Sequence, residues 1–419
     1  MDPACGDGAF LRAAAAVGWA APEAITGVDV DGAVLAGPVG SNLQTGDGLA
    51  PLGTFDAVVG NPPYGGRGVR ERSADALVDL GRRYSIHRAG PDGRVGPPKP
   101  MPPRFPIATL FVERFVTAAR VGGVVALVLP ASFLANARDA KARAWLRRRV
   151  RLVSIDALGG GVFASTGTRA NTAFVVGVRR EAETDGVHDP PVLLGDAGGR
   201  RHVPIASIDA GGRWDPRFHD PAWDAPLRTL DRPLVPLGEF VAELAYGGIL
   251  PGAAPTPDAE GVHHVTQRAV TDRGIDLSKC PLIRSEAPWD RPRYRLAPGD
   301  LCVPRSGVGT LGRNRLTRFD GADRPAVVDC FTDRLSLRGI SSAWVLGFLR
   351  SPPGWSQIAR TFNGVGTPNI SFGEIRGLRV PVPRAAEADE AERLWSAIVA
   401  GDRPFEDLPT FVGGDCVRA

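Results

Sequence analysis

Over its first 180 residues the chain alternates between short apolar runs and stretches whose apolar positions recur at helical spacing. Residues 8–17 predict a helix, and residues 25–29 and 43–47 two short strands. Residues 55–60 form an apolar run that ends at Gly60 and predict a buried strand. Leu110, Phe111, Phe115, Val116 and Ala119 lie on one face of a helix over 107–121. The unbroken apolar run 123–130 predicts a central strand. A basic helix over 138–150 and strands over 151–158 and 172–178 complete the series. Strands alternating with helices define an α/β, doubly wound sheet.

The pattern changes after residue 180. Asp, Gly, Pro and Arg rise over 181–234 and periodicity fades, so this segment reads as a linker. Short strands with turn signals recur from Leu237 onward, with helices over 343–350 and 385–400. The expected organisation is a catalytic α/β domain over 1–180, a linker over 181–234, a mostly β (α+β) domain over 235–390 and a tail over 391–419. A stretch between Tyr64 and Ile107 lacks periodicity and carries Arg67, Arg70, Arg72, Arg82, Arg83, Arg88, Arg94 and Arg104. It has two readings: a disordered insertion, or a basic loop that orders on DNA.

Composition adds little to the fold but narrows the chemistry. A length of 419 residues suits two domains. All but three of the 50 basic residues are arginine, which fits either a GC-rich coding sequence or phosphate binding. The net charge of +4 is mild for this length. The cysteines at 5, 280, 302, 330 and 416 form no CxxC pair, so neither a zinc site nor a disulfide framework is indicated. No signal peptide or membrane span is visible, which leads us to expect a reducing cytoplasm. No GxxxxGK[ST] phosphate loop is present.

Two segments carry candidate chemistry. In Asp2-Pro3-Ala4-Cys5-Gly6-Asp7-Gly8, the glycines let backbone amides approach a ligand, and the helix that follows favours a carboxylate at its N-terminus. Asp29 ends the strand Ile-Thr-Gly-Val-Asp, where an acid can accept ribose hydroxyls. Asp47 follows the next strand. Asn61-Pro62-Pro63-Tyr64 ends the buried run. The Asn61 side-chain oxygen and the carbonyl of Pro62 can accept the two hydrogens of an exocyclic amine, while the prolines stiffen the turn. Tyr64 offers a ring for stacking on a base. No covalent nucleophile is required, so Cys5 reads as structural.

Together, the glycine turn, Asp29, Asp47 and Asn61-Pro62-Pro63-Tyr64 resemble the adenine-N6 DNA methyltransferases with gamma-type motif order. Residues 122–134 and 159–163, with 171–176, are similar to later strands of that family. The resemblance implies a Rossmann-like sheet that binds S-adenosyl-L-methionine (SAM) through Asp2, Ala4, Cys5, Gly6, Gly8, Asp29 and Asp47. It implies chemistry at Asn61, Pro62, Pro63 and Tyr64 on an adenine flipped out of double-stranded DNA. In that family a central strand ends at the equivalent of Asp2, so the sheet is expected to lack its first strand, with two readings: the true start lies upstream, or the gene is degraded or split.

Residues 236–239, 299–307, 366–371 and 378–383 resemble the target-recognition domains of type I specificity subunits. That likeness implies DNA contacts by Arg305, Arg313, Arg315 and Arg318, and partnership with a restriction or defence-system subunit. Two alternatives stay open: a protein or RNA methyltransferase using the same tetrapeptide, and a catalytically impaired DNA-binding specificity module.

Overall fold

The computed structural model describes residues 1–35, 37–38, 40–65, 69, 72–159, 171–362 and 367–414. Arg67, Arg70, residues 160–163 and Gly366 lie outside them. The chain forms two compact units, Met1–His219 and Asp220–Ala419.

The first unit holds α1 (Ala9–Ala16), β1 (Thr26–Asp29), β2 (Asn42–Thr45), β3 (Phe55–Gly60), α2 (Ala74–Arg83), α3 (Ile107–Ala118), β4 (Ala119–Pro130), α4 (Ala131–Ala135), α5 (Ala140–Arg149), β5 (Val150–Leu158), β6 (Thr172–Arg179), β7 (Val192–Asp196), β8 (Gly199–Val203) and α6 (Ile205–Gly211). Six strands form one sheet in the order β3-β4-β6-β5-β7-β8, and β1 pairs with β2 in parallel. β4 sits inside the sheet, parallel to β3 and antiparallel to β6, and Leu127 and Leu129 are fully buried. That explains its unbroken apolar run. Leu110, Val112 and Phe115 of α3 are also fully buried.

Met1 and Asp2 lie between the two sheets. The Asp2 amide donates to the Thr26 carbonyl at 3.0 Å, and Asp2 accepts from the Val28 amide at 2.9 Å. On the other side the Val59 amide donates to the Met1 carbonyl at 2.9 Å, and the Met1 amino group donates to the Ala57 carbonyl at 3.1 Å. These two residues therefore join β1 to β3 through parallel-type bonds.

Two expectations are corrected in this unit. The supposed linker 181–234 supplies β7 and β8, which extend the sheet: β7 pairs with β5, and Val192 and Leu194 are fully buried. The aperiodic stretch after Tyr64 is not a disordered insertion in its described part. It contains α2, and Leu80, Tyr84, Ile86 and Met101 join the core. Ser73 caps α2 by accepting the Ala76 amide at 3.2 Å.

The second unit contains β9 (Leu234–Pro236), β10 (Val241–Tyr246), β11 (Pro257–Val265), β12 (Val270–Thr271), β13 (Gly274–Ile275), β14 (Leu282–Ile283), β15 (Leu301–Pro304), β16 (Thr317–Arg318), β17 (Ala326–Val328), β18 (Thr332–Leu337), α7 (Ser342–Arg350), α8 (Pro352–Arg360), α9 (Phe372–Gly377), β19 (Arg379–Pro381), α10 (Ala385–Ala400) and α11 (Asp407–Gly414). Its main sheet has the order β10-β18-β15-β16, and a second has β14-β11-β17. The helices share a core with Leu301, Leu335 and Trp344. The described part of the expected tail, residues 391–414, is packed: Trp395, Ile398, Leu408 and Val412 are buried in that core. α10 stops at Gly401, which takes a left-handed φ of 89°.

Candidate active site

Gly8 adopts φ 75° and opens α1, and Gly6 adopts φ 50° two residues earlier. Both conformations are easy for glycine and strained for other residues. The Gly6 amide donates to Asp29 Oδ2 at 2.8 Å, and the Asp31 amide donates to Asp29 Oδ1 at 3.0 Å. Asp29 therefore fastens the glycine turn to the end of β1. The Ala4 amide donates to Asp2 Oδ1 at 3.0 Å. Asp2 is fully buried, and burial pushes its carboxyl up to about 7. Burial, with Asp2 and Asp29 nearby, pushes the Cys5 thiol up to about 12, so it stays protonated and inert as a nucleophile.

A cavity of about 500 Å³ opens at the carboxyl ends of β1, β2 and β3. Pro3, Ala4, Asp29, Asp47, Asn61 and Pro63 line it, as do Gly48, Val30, Arg72, Ile107 and Phe111. The carboxyl ends of parallel strands are where open α/β sheets hold ligands. Gly48 packs so tightly that a Cβ there would sit 1.8 Å from the Pro3 carbonyl oxygen.

Of the residues singled out in the sequence, Ala4, Asp29, Asp47, Asn61 and Pro63 meet at this cavity. Asp2, Cys5, Gly6, Gly8, Pro62 and Tyr64 are not among its lining residues. Asp2, Cys5, Gly8 and Pro62 are buried. The Tyr64 hydroxyl donates to Asn61 Oδ1, and burial raises its pKa above the usual phenol range. The acceptor expected to meet an amine is thus held by an intramolecular partner.

Asp47 is likewise engaged: Arg72 Nη2 donates to its Oδ2 at 2.8 Å, and the Leu49 amide donates to its Oδ1 at 3.0 Å. The loop that carries Asp47 is anchored from α2 and α3. The Leu49 carbonyl accepts from Arg83 Nη1 at 2.7 Å, the Tyr84 hydroxyl at 2.8 Å and Arg114 Nη2 at 2.9 Å. Sequence reading placed Arg72 in a basic stretch with one reading as a loop beside the active site, and missed Ile107 and Phe111 at the cavity. The apolar phase of 107–121 marked Phe111 as buried without indicating a site.

In the second unit, Arg318 is engaged within the protein. It bonds Glu392 and makes an ion pair with Asp320 at 2.9 Å. Arg305 lies 3.8 Å from the centroid of the Tyr246 ring and forms an ion pair with Asp333 at 3.2 Å. Arg313 and Arg315 are exposed and make no ion pair among the described residues.

The strand-end cavity thus gathers two carboxylates, Asp29 and Asp47, beside the amide of Asn61. Residues 50–163, 114 of the 419, match the model of the Eco57I restriction-modification methylase family. No curated protein matches the chain. Among solved structures, the chain is similar to the type IIG restriction endonuclease BpuSI, with 11% identity and a TM-score of 0.42, covering 100% of this chain and 63% of that one. It is similar to a type I restriction-modification methyltransferase subunit from Streptococcus thermophilus, with 16% identity, a TM-score of 0.34, and coverage of 50% and 45%. It is also similar to an HsdS subunit from Thermoanaerobacter tengcongensis, with 15% identity, a TM-score of 0.27, and coverage of 46% and 47%. The chain spans less than two thirds of the length of each of these three structures. Similarities this low carry no weight below. Among the described residues no helix is long and apolar enough to cross a membrane, and no cluster of His, Cys, Asp and Glu could hold a metal ion.

Proposed function

We propose that this chain is a SAM-dependent DNA methyltransferase acting on N6 of adenine, in partnership with a restriction or defence-system subunit. The observation that carries the reading is the convergence of Asp29, Asp47 and Asn61 on one cavity from the ends of three neighbouring strands.

The residues present fit SAM. The cavity volume suits a ligand of that size. Asp29 keeps free lone pairs beyond its two amide bonds and can accept ribose hydroxyls. Asp47 can accept an adenine amino group once Arg72 yields, while Val30, Ile107 and Phe111 supply an apolar wall for a flat ring. The closeness of Gly48 to Pro3 keeps the turn hugging the cavity. When bound, SAM supplies an activated methyl group.

The other half of the chemistry is positioning. An aromatic exocyclic amine is a weak nucleophile because its lone pair is delocalised into the ring. Asn61 Oδ1 and the Pro62 carbonyl accept the two amine hydrogens and orient that lone pair. For this, Tyr64 releases Asn61 as the base arrives and turns its ring to the base face. Pro62 and Pro63 restrict the turn, so little entropy is lost in the alignment.

The test is methyl transfer from isotope-labelled SAM, offered duplex DNA, structured RNA and protein together. The expected product is label in N6-methyladenine of the duplex. Label in RNA or protein, or no transfer with SAM bound, contradicts the reading.

A further inference from the structure

Asp47 and Arg72 both line the strand-end cavity, and they are bonded to each other. Asp47 Oδ1 is turned to the backbone and accepts the Leu49 amide at 3.0 Å. Asp47 Oδ2 accepts from Arg72 Nη2 at 2.8 Å. The oxygen left to meet a ligand therefore already holds a donor from the protein itself.

The carboxylate cannot follow the guanidinium out of the cavity. The Gly46 amide donates to the Asp29 carbonyl at 2.8 Å, and the Ala50 amide donates to the Asp47 carbonyl at 2.8 Å. Leu49 is fully buried, and its carbonyl accepts from Arg83, Tyr84 and Arg114. The backbone of Arg72 is fixed as well. Its amide donates to the carbonyl of Val69, a core residue, at 3.3 Å, and the next residue, Ser73, caps α2. The part that can move is the Arg72 side chain, which keeps 26% of its surface open to solvent. Partly solvated side chains change rotamer quickly, so no loop has to move.

The strength of the pair sets the size of the effect. The Asp47 side chain is 40% exposed. An ion pair this open to water shifts an equilibrium by about 5-fold at most. A hydrogen bond from a ligand amine to a carboxylate is of similar or greater strength, so a ligand donor can take the place of the guanidinium.

We propose that Arg72 competes with the cofactor for Asp47, and so sets how strongly the site prefers an amino-purine over a 6-oxo-purine. The proposal rests on the SAM reading of this cavity. The carboxylate of Asp47 only accepts. A 6-amino group donates to it and displaces Arg72, so the gain from the amine is reduced by the bond that is lost. A 6-oxo group has no hydrogen to donate there, and Arg72 stays on Asp47 and screens its charge from the ligand oxygen. Without Arg72 the amine gains in full, while the oxo group faces a bare carboxylate.

The experiment measures calorimetric binding of SAM, S-adenosylhomocysteine and S-inosylhomocysteine, whose purine has a carbonyl in place of the amino group. It compares the full chain with Arg72→Ala and with Arg72→Met, which keeps bulk but has no donor. Thermal unfolding reports folding. Both variants are expected to bind S-adenosylhomocysteine about 2- to 5-fold more tightly and S-inosylhomocysteine no more tightly, so the preference widens by at least that factor. Unchanged or weaker binding of S-adenosylhomocysteine in folded variants would overturn the proposal, and weaker binding would make Arg72 a ligand-holding residue. An equal gain for both ligands, or a gain in Arg72→Ala alone, would also overturn it, because bulk rather than the ion pair would then be at work. If SAM binds and Arg72 has no effect, only this proposal falls. If neither the unaltered protein nor the variants bind SAM or S-adenosylhomocysteine, the methyltransferase reading falls and takes the proposal with it.

Discussion

Replacing Gly48 with alanine probes the cofactor side of the site through one methyl group. Its Cβ would lie 1.8 Å from the Pro3 carbonyl oxygen, 3.0 Å from the Pro3 carbonyl carbon and 3.2 Å from Phe111 Cε1. The first contact is with backbone, so no rotamer change relieves it. Either the Pro3–Ala4 peptide or the loop after Asp47 must move by more than 1 Å. Overpacking of this kind costs about 1–3 kcal/mol. At about 2 kcal/mol, the unfolding temperature of a unit of this size falls by about 4–8 °C. The same shift displaces Ala4 and Asp47 from the cavity, so SAM affinity falls by about tenfold or more, equivalent to about 1.4 kcal/mol. The assay is thermal unfolding with and without SAM, beside calorimetric binding. Gly53→Ala is the control, because a Cβ there meets nothing within 4 Å. Equal unfolding temperature and SAM affinity in Gly48→Ala and Gly53→Ala would refute the close packing of the turn on the cavity.

Further expectations follow from particular contacts. Tyr64→Phe removes the hydroxyl that occupies Asn61 but keeps the ring, so methyl transfer stays within several-fold, whereas Tyr64→Ala loses about 1–3 kcal/mol of base stacking in single-turnover rates. Equal losses in the two variants would count against stacking. Burial raises the Asp333 carboxyl to about 8. The folded state therefore holds its proton more tightly than the unfolded state, and the contribution to stability, complete below about 3.8, is lost as pH rises through about 8. Urea unfolding at pH 5 and pH 8 is expected to show a smaller pH-dependent loss in Asp333→Asn than in the unaltered protein, and the same loss in both would contradict the assignment. Trp395 is fully buried and donates Nε1 to Asp320 Oδ2 at 2.8 Å. Trp395→Ala is therefore expected to cost about 3–5 kcal/mol by denaturant unfolding, and a loss below about 1 kcal/mol would contradict the packing of α10 in this core.

The parts of this molecule that follow period and motif were legible in the sequence. β3 and β4 are buried strands with no polar alternation, and the Asn61 turn sits where the buried run ends. What stayed hidden rests on contacts distant along the chain. Arg83 and Arg114 look like surface charge in sequence, yet both point at the Leu49 carbonyl and set the Asp47 loop. Arg318 reads in sequence as one of a basic group with Arg313 and Arg315, and its contact with Glu392 spans 74 residues. β7 and β8 are five residues each, too short to stand out among the Asp, Gly, Pro and Arg around them. Met1 and Asp2 are too few to read as a strand, yet they bond to β1 on one side and β3 on the other. The grip of Tyr64 on Asn61 is a side-chain choice that spacing cannot show.

The central claim is that Asn61, at the end of β3, presents an adenine amine to SAM in the adjoining cavity. Single-molecule modified-base sequencing of DNA from cells expressing the chain tests it most directly, beside cells expressing Asn61→Ala. The account predicts N6-methyladenine in one fixed sequence context with the unaltered chain and none with the variant. Methylation that persists in Asn61→Ala, or a modified base other than N6-methyladenine, would contradict it.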